Sequence, residues 1–296
     1  MADSKPQDVS GYSQEVTQAC EQALVTVLGC MGNLKDTVRL VGGLVPRYLT
    51  PAREPDVPAH AGTSDLDLVI DLSVIAAGED YAPIAERLKM RGFSKLQLAK
   101  GGVSSWQWEA RTLQGVPVRV EFLCDAAEEE FARLRSLGGE AISVMAMPHM
   151  AIAQTHYETK EVKAHLLGGG GIAVERVHYA NQLAFTVLKA IAFDQRSENK
   201  DAADLIHVLQ YGNPLDTAAK TFAQELKEGA HQDSLAKALD CMRRCFCSDG
   251  ETEGHLMKGP VAYARFHNPA TSDERFELQR QASALVEAYV ALLSER

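Results

Sequence analysis

Residues 62–71 read GTSDLDLVID, three carboxylates set into an otherwise apolar, β-prone run. Side chains alternate along a strand, so Asp65, Asp67, Val69 and Asp71 share one face and Leu66, Leu68 and Ile70 the other. The pattern predicts a strand over 66–72 with one face turned to a core. The acids are expected outside that core, near the strand's start. Asp65 and Asp67 are adjacent on their face and repel each other unless a counter-charge intervenes. Hard carboxylate oxygens suit Mg2+ or Mn2+ in that role. A calcium EF-hand loop does not fit, because Ile70 would stand at its glycine position and Ala76 at its glutamate position.

A third acid is available in VPVRVEFL, residues 116–123, where Val118, Val120 and Phe122 alternate with Arg119, Glu121 and Leu123. If this strand lies beside the first, Glu121 faces the same site. Three carboxylates on neighbouring strands can hold two metals against a triphosphate, activating the attacking oxygen and stabilising the leaving pyrophosphate. Upstream, a short buried strand over 37–41 ends in Gly42-Gly43, with a short helix after it through Leu44 and Tyr48. A glycine turn lets backbone approach phosphate oxygens, and a helix N-terminus there presents N–H donors. Acids at a strand end are commonly only solvated. The succession of a Gly-Gly strand end, a D-x-D strand and an acid within a later apolar strand is what points to a site.

The remaining pattern divides the chain. A 3.6-residue apolar stripe through Val16, Ala19, Cys20, Ala23, Leu24, Val27 and Leu28 predicts a helix over 13–31. Another helix is predicted over 81–91, stopped by Gly92. Strands are predicted over 95–98, 104–111 and 116–123, the last two joined by a hairpin turn at LQG. Pro51, Pro55 and Pro58 stiffen the loop before the acidic strand. Further strands are expected around 141–145 and within 162–177, linked by the four glycines 168–171. From His178 onward the chain reads as helices, over 178–193, 200–210, 215–228, 233–246 and 273–294. The fold class is α+β, with a division into 1–177 and 178–296.

Bulk properties narrow the function. With 296 residues, 46% hydrophobic and 24% charged, the chain has an ordinary globular composition. A formal net charge of −10 disfavours general coating of nucleic acid while leaving room for a local basic groove. No run of 18 apolar residues suggests a membrane span, and the polar N-terminus lacks a signal-peptide core. The six cysteines are expected as reduced thiols, and the protein in the cytoplasm.

VGGLVPRYL, TSDLDLVID and VRVEFL, in that order, resemble the nucleotidyltransferase superfamily, the fold of DNA polymerase beta and the minimal nucleotidyltransferases. HYANQLAFTVLKAIAFDQRSENKDAADLIHVL resembles the helical segment of the AbiEii family, nucleotidyltransferase-like toxins of abortive-infection systems. Lys189, Arg196, Lys200, Asp201 and Asp204 stand at that family's basic and acidic places. The resemblance spans roughly residues 37–210. It implies a polymerase-beta-like core, its mixed sheet flanked by helices, with a mainly helical C-terminal region completing the nucleotide site. It further implies a pyrophosphate-releasing enzyme that moves a nucleoside monophosphate from a nucleoside triphosphate to an acceptor. Asp65, Asp67 and Glu121 would hold Mg2+ or Mn2+ and act in catalysis. Gly42, Gly43, Arg47, Lys189, Lys200, Asp201 and Asp204 would attend the nucleotide.

For Asp201 and Asp204 two readings stand, orienting Lys200 or complementing a helix dipole. The acceptor is a tRNA, a protein or a small molecule, and a toxin would have a cognate antitoxin. Two alternatives are an antibiotic-type small-molecule nucleotidyltransferase and a degenerate member that binds nucleotide or a partner without catalysis. Leu44, where the family often has serine or threonine, feeds the second.

Other motifs carry less. The four glycines lack a following G-K-[ST] and read as a flexible hairpin turn. Cys241, Cys245, Cys247 and His255 lack a standard zinc spacing, and the first two suit core packing. The basic residues of MRGFSKLQLAKGG read as solvated surface, Trp106 and Trp108 as core or sheet cover. His149, His156 and His165 show no ligand spacing.

Overall fold

The computed structural model describes residues 6–72, 82–137 and 142–294. The chain forms two compact units. The first comprises Met1–Lys5, Tyr12–Val45 and Ala61–Ala180, the second Pro6–Gly11, Pro46–His60 and Asn181–Arg296. The sequence placed one division after 177. The units part after Ala180, and the second also takes in the proline-rich stretch 46–60.

In the first unit, α1 (Gln14–Met31) starts where the Ser13 hydroxyl accepts a hydrogen bond from Val16 N at 3.2 Å. Its apolar stripe is buried. The strands are β1 (Val38–Val41), β2 (Asp65–Ile70), β3 (Ser94–Gln97), β4 (Val103–Arg111), β5 (Pro117–Ala126), β6 (Leu134–Leu137), β7 (Ile142–Pro148), β8 (Tyr157–His165) and β9 (Ile172–Ala180). They make one mixed sheet ordered β3-β4-β5-β2-β1-β9-β8, with β7 paired to the far end of β5 and β6 to β7. Helix α2 (Pro46–Leu49) belongs to the second unit, and α3 (Ala82–Met90) and α4 (Ile152–Thr155) to the first. The predicted first residue of α3, at 81, and of β7, at 141, lie outside the described residues.

The second unit is helical: α5 (Gln182–Arg196), α6 (Asn199–Tyr211), α7 (Leu215–Glu228), α8 (Gln232–Phe246), α9 (Lys258–His267) and α10 (Ser272–Ser294). Phe185, Phe193, Phe222, Phe246, Phe266 and Tyr289 are fully buried and form the bulk of its core. The fold is thus α+β, and among the described residues no helix is long and apolar enough to cross a membrane.

Three departures from the sequence reading have physical causes. The helix expected from 178 begins at Gln182, because 178–180 still pair in β9 and Asn181 accepts the Ala184 N–H at 3.1 Å as its cap. Helix α9 is absent from the sequence reading, and it carries Gly259 and Pro260 near its start. Both fall in its first turn, where proline loses no helical hydrogen bond. The acids of β2 were expected outside the core, yet Asp65 is only 6% exposed and Val69 is fully buried. Strand β2 runs between β1 and β5 in mid-sheet, so both of its edges are paired, while Asp67, two residues on along the same face, stays half-buried.

Candidate metal centre

Register builds this site. Strand β2 pairs with β5 in parallel, setting Asp65 opposite Arg119 and Asp67 opposite Glu121. On its other side β2 pairs antiparallel with β1, setting Asp67 opposite Val41. Strand β4 pairs with β5, bringing Gln107 opposite Glu121 and Glu109 opposite Arg119. Residues directly opposite in a ladder point to the same face. One row therefore reads Gln107, Glu121, Asp67, Val41, and the row beside it Glu109, Arg119, Asp65. The two predicted strands are immediate neighbours, and Asp65, Asp67 and Glu121 converge.

Each of these three residues offers a carboxylate oxygen within 4.8 Å of the others, with Asp65 buried and Asp67 and Glu121 half-buried. Three negative charges at that spacing repel strongly in a partly desolvated site. Hydrogen bonds hold Asp65 and Glu121 in place. Thr63 Oγ1 donates within reach of Asp65 Oδ1 at 3.2 Å and Asp65 O at 3.1 Å, and Thr63 N donates to Thr17 Oγ1 at 3.1 Å. The entry to β2 is thereby fastened to α1. Gln107 Nε2 donates to Glu121 Oε1 at 2.9 Å, fixing that carboxylate's direction. Cys20 of α1 is fully buried, and burial, then Asp65 and Asp67, push its thiol far up, so it stays protonated.

Gly42 follows Val41, whose neighbour across the ladder is Asp67. Its φ is +75°, and a Cβ there would collide with Asp67 Oδ2. Only glycine meets both conditions, so the turn makes room for the aspartate. Gly42→Ala is expected to displace the Asp67 carboxylate and weaken divalent-cation affinity by about tenfold or more. Calorimetric titration of Mn2+ into that variant checks this, and unchanged affinity would contradict it. Gly43 and Leu44 are buried in the same short turn. Leu44 is 1% exposed, so an apolar side chain is what its position requires.

The remaining predicted residues lie in the second unit. Arg47 stands half-buried on α2. Lys189 of α5 bonds Asp201 Oδ1 at 2.8 Å and Asp204 Oδ2 at 2.7 Å, both from α6. Lys200 reaches Asp204 Oδ1 at 2.6 Å across one helical turn. Arg196 grips Asp201 with Nε at 2.6 Å and Nη2 at 2.9 Å. Asp201 and Asp204 are thus buried acceptors for the basic residues around them. Burial favours the neutral acid at Asp201, but Lys189 and Arg196 reverse that and bring it to about 2. Asp204 is held well below the ordinary carboxylate range, Lys189 and Lys200 outweighing its burial. Burial would depress the Lys189 ammonium, yet Asp201 and Asp204 hold it above its usual value. At Lys200 burial prevails over Asp204, and with the like charge of Lys189 the ammonium sits lower than usual.

Sequence reasoning missed Gln107 and Arg119, and in the second unit His60, Thr50 and His207. Arg119 is half-buried, and its Nε lacks a hydrogen-bond partner among the described residues. His60 Nε2 lies 2.8 Å from Asp204 Oδ1, and His207 Nε2 lies 3.0 Å from Thr50 Oγ1. Burial keeps both rings neutral and, with the neighbouring His60, lowers His207 to about 4.

A histidine that resists protonation when folded makes stability fall as pH drops. The unfolded chain takes up a proton below about 6.5, the folded chain only near 4. Unfolding free energy is then full above pH 6.5 and declines towards pH 4, by up to about 3 kcal/mol for His207. His207→Gln is expected to flatten that decline. Urea unfolding at several pH values checks it, and parallel curves for both proteins would contradict it.

No protein-family model matches the chain, nor does any curated protein. A solved structure described as JHP933 from Helicobacter pylori is similar over 96% of this chain and 95% of its own, at 12% identity and a TM-score of 0.40. A likeness at that level assigns neither fold nor activity, and the site stands on its own geometry.

Proposed function

We propose that this protein is a metal-dependent nucleotidyltransferase, transferring a nucleoside monophosphate from a nucleoside triphosphate to an acceptor hydroxyl with release of pyrophosphate. The observation that carries the proposal is the convergence of Asp65, Asp67 and Glu121 from two paired strands. Three hard oxygen donors, those of Asp65 and Glu121 held by hydrogen bonds, fit Mg2+ or Mn2+. Such an ion, when bound, neutralises triphosphate charge and favours ionisation of the attacking hydroxyl.

The chain's own residues supply the rest. Asp65 and Asp67 hold the cation from β2, and Glu121 does so from β5 with one oxygen engaged by Gln107. Glu121 is also placed to accept the acceptor's proton. The Gly42-Gly43 turn, its backbone pressed close to Asp67, offers N–H donors to phosphate oxygens. Arg119, in the row beside Glu121, supplies positive charge on the same face. Lys189, Lys200, Arg47, Asp201 and Asp204 take their nucleotide role from the resemblance to the AbiEii family and a polymerase-beta-like core.

The same resemblance supports a cytoplasmic toxin of a bacterial toxin–antitoxin or phage-defence pair, modifying a tRNA, a protein or a small molecule. The net charge of −10 weighs against a large RNA acceptor. The test is label transfer: purified protein, Mg2+, each α-labelled nucleoside triphosphate in turn, and a cell extract. An Asp65→Ala/Asp67→Ala variant serves as control. Label on one acceptor class with the intact acids alone establishes the reaction. Label that persists without the acids overturns the site.

A further inference from the structure

The first unit contains a cavity of about 320 Å³ that shares no lining residue with the acid cluster. Arg87 and Arg91 line it from the end of α3, together with Met90, Leu166, Ala173 and Glu175. Arg91 N donates to Arg87 O at 3.2 Å, so the helical turn continues and the two guanidiniums emerge on one side. Two like charges so placed repel, and among the described residues neither forms an ion pair with a carboxylate. Glu175 does not compensate them, because Lys35 Nζ already binds its carboxylate at 2.9 Å. Arg87 spends one N–H on the carbonyl of Cys30, at 3.1 Å, where α1 ends. Most of its five donors, and those of Arg91, are left.

The glycines at 168–171, set aside above as a hairpin turn, explain how Arg91 is seated. A Cβ at Gly170 would collide with Arg91 Nη1, and one at Gly168, where φ is +68°, would press on the Arg91 carbonyl at 3.2 Å. The turn between β8 and β9 is kept bare where the arginine passes. An exposed Arg87 and a half-buried Arg91, neither ion-paired among the described residues, present the chemistry that recognises carboxylate or phosphate. Leu166 and Ala173, both half-buried, offer an apolar wall beside them, and Met90, 76% exposed, stands at the rim. A cavity of this size with a few convergent polar groups is the usual form of a small-molecule site.

We infer that this cavity binds a small organic anion, a phosphate ester or carboxylate with an apolar body, through Arg87 and Arg91. The site stands independently of the proposed transfer reaction. The test is calorimetric titration of the full chain, in metal-free buffer at low salt, with phenyl phosphate, inorganic phosphate and benzoate. Phenyl phosphate or benzoate is expected to bind more tightly than inorganic phosphate, and the tighter of the two identifies the anionic group. Arg91→Gln is expected to weaken binding by about tenfold or more. Ala173→Phe, which fills the cavity and keeps both charges, should abolish it, and Asp67→Asn should leave it unchanged. Thermal unfolding of each variant confirms that the fold is retained. Failure of all three probes to bind, or undiminished binding in both cavity variants, would overturn the inference.

Discussion

Asp67→Asn is expected to lower the proposed nucleotidyl transfer by about a thousandfold or more, roughly 4 kcal/mol of transition-state stabilisation, and to leave the protein at least as stable as before. Asp67 occupies the middle of its row, between Glu121 and Val41, and Gly42 is bare of a side chain to make room for it. An amide retains the shape but loses half of the donor strength toward a hard cation. It also removes one of three mutually repelling charges, so without added metal the melting temperature is expected to hold or rise. Lost activity with undiminished stability is the signature of a site that trades stability for chemistry. Transfer within tenfold of the unaltered protein, or unfolding of the variant, would contradict this role.

Asp204→Ala is expected to cause a large loss of stability. Its carboxylate accepts Lys189, Lys200 and His60 while almost wholly buried. Removing it takes a shared buried carboxylate from Lys189 and Lys200, and Asp201, the other acceptor of Lys189, is already gripped by Arg196. Breaking a buried pair by deleting one partner costs about 3–5 kcal/mol, because the surviving charge stays desolvated. Urea unfolding, with amide exchange in α5 and α6 as a local readout, checks the prediction. A change below about 1 kcal/mol would mean that the cluster is far better solvated than its burial implies.

The acid cluster was legible because alternation is a local property. Leu66, Leu68 and Ile70 fix which way Asp65 and Asp67 point, and Val118, Val120 and Phe122 do the same for Glu121. What alternation cannot convey is which strands become neighbours. The parallel pairing of β2 with β5, between residues 54 apart in the chain, turned three scattered acids into one site and brought in Arg119 and Gln107. Burial of Asp65 was hidden for the same reason, since a central strand and an edge strand can carry similar sequences. In the second unit, the i,i+4 pair of Lys200 and Asp204 was visible in the sequence. His60 was not, because it meets Asp204 from 144 residues away. Helix α9 was not read from the sequence; its first turn holds Gly259 and Pro260, which a first turn tolerates but which weaken a helical pattern.

Titration with Mn2+, followed by the loss of the free-ion paramagnetic resonance signal, tests the central claim most directly. The unaltered protein is expected to take up Mn2+, and Mg2+ to compete for the same places. Asp65→Asn/Asp67→Asn and Glu121→Gln should each abolish or sharply reduce the uptake. No Mn2+ bound by the unaltered protein, or equal uptake in the variants, would contradict a metal centre built from these three carboxylates.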